Sequence, residues 1–244
     1  MSLPRFYCPL PLAESQTITL PVALAHHAVR VLRLRDGAPI ILFNGEGGHY
    51  LAELQVEGRR ADAHVGVHVA AEAELPVRTV LVQGIAAADK MDWITEKAVE
   101  MGVSQLVPIA ARRSVVQLTG ERREKRLQHW QRIAVAASEQ CGRNRIMQVA
   151  PPQTLAEWLA SESEPGLLRL ACHPEADQSL AQAIHAHDGP LALLVGPEGG
   201  WSEEELDLVR SYGVCAVSFG PRVLRTETAG VALMAALAAM KGWA

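Results

Sequence analysis

The chain has 244 residues, 49% of them hydrophobic and 20% charged, with a formal net charge of −4. That length supplies one large domain or two modest ones, each able to bury a core, and the composition is that of an ordinary soluble protein. Four cysteines, Cys8, Cys141, Cys172 and Cys215, form no C-x-x-C pair, which argues against a disulfide frame or a zinc site. The opening residues carry no basic-then-apolar signal and no apolar run reaches membrane-spanning length. A cytoplasmic protein without metal or membrane contact is expected.

In chain order, the first 71 residues show short alternating segments at 50–56 and 63–69, punctuated by turn residues at Asn44-Gly45, Gly47-Gly48 and Gly58. Alternation with period two marks half-buried strands. One helix over 26–32 interrupts them, so residues 1–71 are predicted to form a small β-barrel with a helix. The pair His26-His27 reads as a helix start with one core and one surface residue. The stretch 70–76, Ala-Ala-Glu-Ala-Glu-Leu-Pro, reads as a linker.

From 76 to 244 the pattern changes to strand and helix in alternation. Buried strands are predicted at 79–85, 105–110, 166–171, 191–195 and 215–219. Helices are predicted at 91–101, 122–140, 154–160, 178–187, 202–212 and 228–241. Thr154 with Glu157, and Ser202 with Glu205, have capping-box spacing. Trp93, Trp130 and Trp158 are expected in the core. The alternation predicts an α/β domain built on a parallel sheet, although pattern alone does not give the strand order.

The chain is slightly acidic, yet its charge is uneven. From Arg112 to Arg145 there are nine basic residues against three acidic ones, with Arg112, Arg113, Arg122, Arg126 and Arg143 among them. Such an excess suits contact with a nucleic-acid backbone. The alternative is a solvated helix face with Glu–Arg pairs at three- and four-residue spacing. In the first domain Arg5, Arg30, Arg33 and Arg35 admit either phosphate contact or a role in solubility alone. Arg35 falls in a loop, because 30, 33 and 35 cannot share one helix face.

The densest signal lies near the end. Two apolar runs, 191–195 and 215–219, feed into Gly196-Pro197-Glu198-Gly199-Gly200 and Gly220-Pro221-Arg222-Val223-Leu224-Arg225-Thr226, each followed by a helix. Loops at the carboxyl ends of parallel strands are where an open α/β sheet binds small ligands. Glycines let backbone approach a ligand closely. The spacing is neither G-x-G-x-x-G nor a Walker loop, and Glu198 would repel a phosphate. An adenosine-type ligand without phosphates, read by backbone groups, fits better.

These residues carry a resemblance. The paired loops resemble the cofactor loops of SPOUT-class RNA methyltransferases, and the whole chain is similar to the RsmE family. The likeness takes in Arg5-Phe6-Tyr7, His27 with 31–37, Phe43-Asn44-Gly45-Glu46-Gly47-Gly48, Lys90-Met91-Asp92-Trp93, 96–103, Arg113-Ser114-Val115-Val116, Trp130, and Ala137 through Gln140 with Arg143. Thr95 and Met147 depart from the family pattern at positions not expected to carry chemistry.

The resemblance implies a PUA-like β-barrel at 1–71, a SPOUT-type α/β domain at 76–244 with a C-terminal trefoil knot, and a homodimer, for which the apolar helix at 229–240 is the candidate interface. It implies S-adenosylmethionine as cofactor and 16S ribosomal RNA of the small subunit as partner, methylated at N3 of one uridine. The cofactor would lie against Ala171, Cys172, Val195, Gly196, Pro197, Gly199, Gly200, Phe219, Gly220, Val223, Leu224, Thr226 and Thr228. The catalytic candidates are Arg225, Glu198 and Glu227, and RNA would meet Arg5, Arg30, Arg33, Arg35, Arg112, Arg113, Arg122, Arg126 and Arg143.

Each of these residues has a blander role available. Arg225 can pair with Glu198 or Glu227, Glu198 can cap a neighbouring amide, and Thr226, Glu227 and Thr228 can cap the last helix. His173 is a minor candidate for a base, and no general base stands out. A different class of function, a non-catalytic RNA-binding protein with a remnant α/β domain, is disfavoured by the intact pair of Gly-rich loops.

Overall fold

The structure is a computed structural model that describes residues 3–58 and 60–243. It divides into two units: the chain up to Glu74 together with Ser138–Ile146, and the chain from Leu75 to Ala137 and from Met147 on.

The first unit contains β1 (Arg5–Tyr7), β2 (Thr17–Thr19), α1 (Val22–His26), β3 (Pro39–Phe43), β4 (His49–Glu57) and β5 (Arg60–Val69) in a five-stranded sheet of order β1-β3-β4-β5-β2. β1 runs parallel to β3 and the other pairs are antiparallel. Among the described residues no ladder joins β2 back to β1, so the expected barrel is, by its hydrogen bonds, an open sheet. The alternation in β4 is real: Ala52 and Leu54 point inward while Leu51, Glu53 and Gln55 face out. These inward residues meet Phe6, Leu20, Leu24, Ala28, Ile40, Leu42, Ala63 and Val65 in one core.

The helix expected at 26–32 begins earlier and ends differently. α1 passes into a π-helical turn, His27–Val31, closed by the Leu32 N–H on the His27 carbonyl at 2.9 Å. Leu24, Ala25 and Ala28 take the core positions, so both His26 and His27 are exposed rather than one of them buried. Arg33, just past the turn, sits at φ +55.

The segment Ser138–Ile146 returns to this unit through a polar clasp. Glu139 Oε1 accepts the Tyr7 N–H at 2.8 Å, Asn144 Nδ2 donates to the Ala71 carbonyl at 2.6 Å, and Arg143 makes a two-point bond to Glu74 at 3.0 and 2.5 Å. A single linker at 70–76 does not describe this return. A helix that continues through residue 138 leaves no Gly, Pro or loop signal there.

In the second unit, β6 (Thr79–Gly84), β7 (Gln105–Ile109), β8 (Gln148–Val149), β9 (Leu168–Cys172), β10 (Leu191–Val195) and β11 (Cys215–Val217) form a six-stranded, wholly parallel sheet of order β11-β9-β10-β6-β7-β8. Every residue of β6 and β10 is buried, as befits parallel strands covered on both faces. The helices are α2 (Ala88–Glu100), α3 (Gly120–Cys141), α4 (Leu155–Ser161), α5 (Leu180–Ile184), α6 (Glu203–Ser211) and α7 (Thr226–Lys241).

Both expected capping boxes are present, and a third, Ser179 with Gln182, starts α5. That helix is much shorter than the span 178–187. Trp130 and Trp158 are core residues, but Trp93 is 41% exposed, on the outer face of α2, whose inner face is Met91, Ile94, Thr95, Ala98 and Val99.

Candidate active site

The strand order decides where the two Gly-rich loops meet. β9 lies between β10 and β11, so the carboxyl ends of all three strands open at one place. The loop after β10 and the loop after β11 wall a cleft of about 520 Å3. Of the expected cofactor residues, Cys172, Val195, Gly196, Pro197, Gly200, Phe219, Gly220, Val223, Leu224 and Thr226 line it. Ala171 does not: it is buried in the core beneath. Gly199 and Thr228 are likewise absent from its wall, Thr228 being exposed on the first turn of α7. Arg113, His173, Pro174, Trp201 and Leu206 join the lining.

The first loop is a tight turn, closed by the Gly200 N–H on the Pro197 carbonyl at 2.9 Å with Gly200 at φ +68. It leads into the Ser202–Glu205 capping box, whose Glu205 also accepts the Arg112 N–H at 3.0 Å. A Cβ on Gly84 would lie 2.4 Å from Pro197 Cδ, so the end of β6 must be glycine for this loop to pack down. Gly199 is constrained by protein as well: a Cβ there would meet Arg113 Cβ at 3.0 Å and the Arg113 carbonyl at 3.1 Å. Its smallness answers to the Arg113 loop.

The two loops are tied to each other. Thr226 Oγ1 donates to the Gly196 carbonyl at 2.6 Å and accepts from Gln83 Nε2 at 2.9 Å. Gln83 is fully buried in β6, and a lone amide inside an apolar strand was the available sign that something polar lay above it. Thr226 is thus the first residue of α7 and a latch between loops, while Arg225 holds the N-cap position without a side-chain cap.

The charges are arranged unequally. Glu198 Oε1 accepts the Ala87 N–H at the start of α2 (3.1 Å) and lies 3.2 Å from Lys90 Nζ, which is also 3.3 Å from Glu227 Oε2. Burial alone would raise the Glu198 carboxyl, but the Ala87 N–H, its own N–H and the Lys90 ammonium together hold it below the ordinary range. The bond to Glu198 in turn raises Lys90. Lys90 was not among the expected site residues, although it stands in the Lys90-Met91-Asp92-Trp93 segment that carries the resemblance.

Glu198 is therefore an ionised, braced carboxylate and a weak base, and Glu227 faces Lys90 rather than the cleft. Arg225 lines the cleft and is exposed, and among the described residues it pairs with neither glutamate. Burial raises the Cys172 thiol, which keeps it protonated and unsuited to nucleophilic attack.

The basic candidates separate into engaged and free. Arg5 Nη2 donates to Asn144 Oδ1 at 2.7 Å and to the Gly142 and Arg143 carbonyls, with its guanidinium 5.2 Å from the Phe43 ring centroid. The Arg143 side chain is 3% exposed. Both are structural in the first unit, which corrects their assignment to an RNA face. Arg30, Arg33 and Arg35 are exposed there. In the second unit Arg112 pairs with Glu204 at 3.4 Å, Arg113 Nη1 donates to the Gly199 carbonyl at 3.3 Å, and Arg122 and Arg126 lie on α3.

Residues 73–238 match the family described as RNA methyltransferase domain, and residues 20–61 match the RNA methyltransferase PUA domain. The chain is similar to the ribosomal RNA small subunit methyltransferase E of Mycobacterium tuberculosis, at 31% identity over 86% of this chain and 82% of that protein. It is similar also to the Bacillus subtilis protein of that name, at 29% over 92% and 90%. Among solved structures, that of the ribosomal RNA small subunit methyltransferase E from Neisseria gonorrhoeae bound to S-adenosyl methionine superposes with a TM-score of 0.91, at 36% identity and 98% coverage of each chain. A putative methyltransferase from Legionella pneumophila, in complex with the same cofactor, gives 0.90 at 30% identity, again covering 98% of each.

Proposed function

The chain belongs to the ribosomal RNA small subunit methyltransferase E family, and we propose that the methyl group it transfers goes to N3 of one uridine in 16S ribosomal RNA. It is an S-adenosylmethionine-dependent ribosomal RNA methyltransferase with an α/β domain on a parallel sheet and a PUA-like domain. The observation that carries the reading is the latched pair of backbone loops at the ends of β9, β10 and β11.

The cleft fits the cofactor. Its volume falls within the range of small-ligand sites, about 300–1,000 Å3. Backbone of 195–197 and 219–224 is available to read an adenine edge, and Phe219, Leu224 and Trp201 offer apolar surface. When bound, the cofactor supplies a methyl group already activated by its sulfonium.

What the protein must add is alignment and charge stabilisation. N3 of uracil carries a proton and is hidden in a base pair, so the base must be unpaired to enter. Loss of that proton leaves negative charge along the O2–N3–O4 edge. Arg225, a free guanidinium on the cleft wall, is assigned to hold that edge. Glu198, with its lowered proton affinity, and Glu227, turned to Lys90, are positioning residues here, and the proton leaves to solvent.

The assembly is proposed to be a homodimer in the cytoplasm. α7 buries Ala229, Gly230, Leu233, Met234 and Leu237 within its own unit and leaves Ala235, Ala239 and Met240 outward. That small apolar outer face suits a second copy. The crossing of β9 by the connection from β10 to β11 is read as part of a trefoil knot. The decisive experiment is nucleoside analysis of 16S ribosomal RNA from cells lacking the gene. Loss of 3-methyluridine is expected, and loss of a ribose 2′-O-methyl or a methylguanosine instead would refute the uridine assignment.

A further inference from the structure

The loop after β7 serves two clefts. Arg113 lines the cofactor cleft, and three residues later Val116, with Gln117 and Leu118, walls a second cleft of about 430 Å3. Three residues of extended chain reach at most about 10 Å, so the two clefts are neighbours along one short loop. The opposite wall is α3, through Arg122, Lys125, Arg126 and His129, whose three- and four-residue spacings put them on one helix face.

Two of these groups already have partners. Lys125 Nζ lies 3.0 Å from Glu121 Oε2, and His129 Nε2 lies 2.8 Å from Asp92 Oδ2. Arg122 and Arg126 make no side-chain hydrogen bond or ion pair among the described residues. Two unneutralised guanidiniums therefore face a concave site beside the reaction cleft. Their planar forks match phosphate oxygens, and the one-sided charge of the wall selects an anion.

We propose that this second cleft seats a backbone phosphate of the RNA strand next to the base that enters the cofactor cleft. The inference rests on the RNA-methylating reading and adds a defined anchor to it. A base that has to leave its pair is easier to present when the strand beside it is held, and a phosphate contact fixes register without reading sequence.

The test compares R122Q/R126Q with R123Q/R132Q, which removes the same charge from α3 at positions outside the cleft. Affinity for small ribosomal subunits lacking the modification is measured across a salt series, together with KM for subunits. Affinity for S-adenosylmethionine reports on folding of both variants. For R122Q/R126Q, affinity should fall about tenfold or more at low salt and the slope of log K against log salt should flatten by about 0.7, the value for one lost single-strand phosphate contact. The loss should appear in KM. R123Q/R132Q should stay within about twofold of wild type. Equal losses in the two variants, or none in R122Q/R126Q, would overturn the phosphate seat while methylation stands. A wild type that fails to methylate subunits would overturn both.

Discussion

The clasp of the first unit and the cleft rim of the second are both rich in arginine and use it in opposite ways. In the clasp, Arg143 is 3% exposed and bonded at two points to Glu74, and Arg5 reaches an amide, two carbonyls and a ring. At the rim, Arg225 is exposed and among the described residues pairs with neither neighbouring glutamate, while Lys90 takes both Glu198 and Glu227. A guanidinium surrounded by acceptors is a strut. One whose potential partners have been taken by another cation keeps its charge for a ligand. The basic stretch from Arg112 to Arg145 contains both kinds, so a count of charges along it overstates what is available to RNA.

The largest effect that separates the two kinds is on turnover. Arg225→Ala should lower kcat by about 100-fold or more, the cost of removing one donor to a developing anion. Cofactor affinity by calorimetry should stay within a few-fold, and near-normal turnover on small subunits would show that Arg225 is not catalytic. In the clasp the corresponding change acts on stability. Arg143→Met leaves Glu74 without its partner and should cost about 3 kcal/mol in urea unfolding of the first unit. An unchanged midpoint would mean that the buried pair adds nothing to stability.

Lys90→Met tests the cation that keeps the two glutamates away from Arg225, and should weaken cofactor binding about tenfold, as the loss of a support that orients a binding loop does. The pH dependence has a definite sign. Because Glu198 is held below its ordinary range, the brace is complete above the ordinary carboxylate pKa of about 4.3 and opens only as pH falls through the lowered value. Wild-type affinity should therefore be flat down to about pH 5, whereas in Lys90→Met the decline should begin at higher pH. Calorimetry across a pH series reads both, and superimposable profiles would remove Lys90 from the brace.

The smallest effect concerns a free arginine whose backbone, not its charge, is constrained. Arg33 at φ +55 carries left-handed strain of about 1 kcal/mol. Arg33→Gly relieves it against the greater freedom of unfolded glycine, for a net gain of about 0.5 kcal/mol in urea unfolding. A loss would mean that the Arg33 side chain makes a supporting contact.

Much of the site was legible because it is local. The loops 196–200 and 220–226, the capping boxes at 154 and 202 and the fully buried strand 191–195 are written in adjacent residues, where glycine conformation, cap spacing and apolar runs act directly. The roles of Glu198, Glu227, Arg5 and Arg143 were not legible. Each depends on a partner 69 or more positions away in the sequence: Glu198 on Ala87, Glu227 on Lys90, Arg143 on Glu74, and Arg5 on Asn144. The π-helical turn at His27–Val31 was hidden too, since a one-residue widening leaves the apolar pattern almost unchanged and moves only the histidines.

Adjacent residues were enough for most of the second unit's elements, for the alternation that makes a parallel sheet and for the two backbone-rich loops, because those follow from periodicity and from what glycine and proline permit. Folding in three dimensions was needed to set β9 between β10 and β11 and so bring the loops together, to latch one loop to the other through Thr226, and to leave particular cations unpaired. Strand order and ion pairing are set by which distant surfaces bury one another. Charge is then neutralised by whatever acceptor the fold carries within about 4 Å, a distance that chain position does not encode.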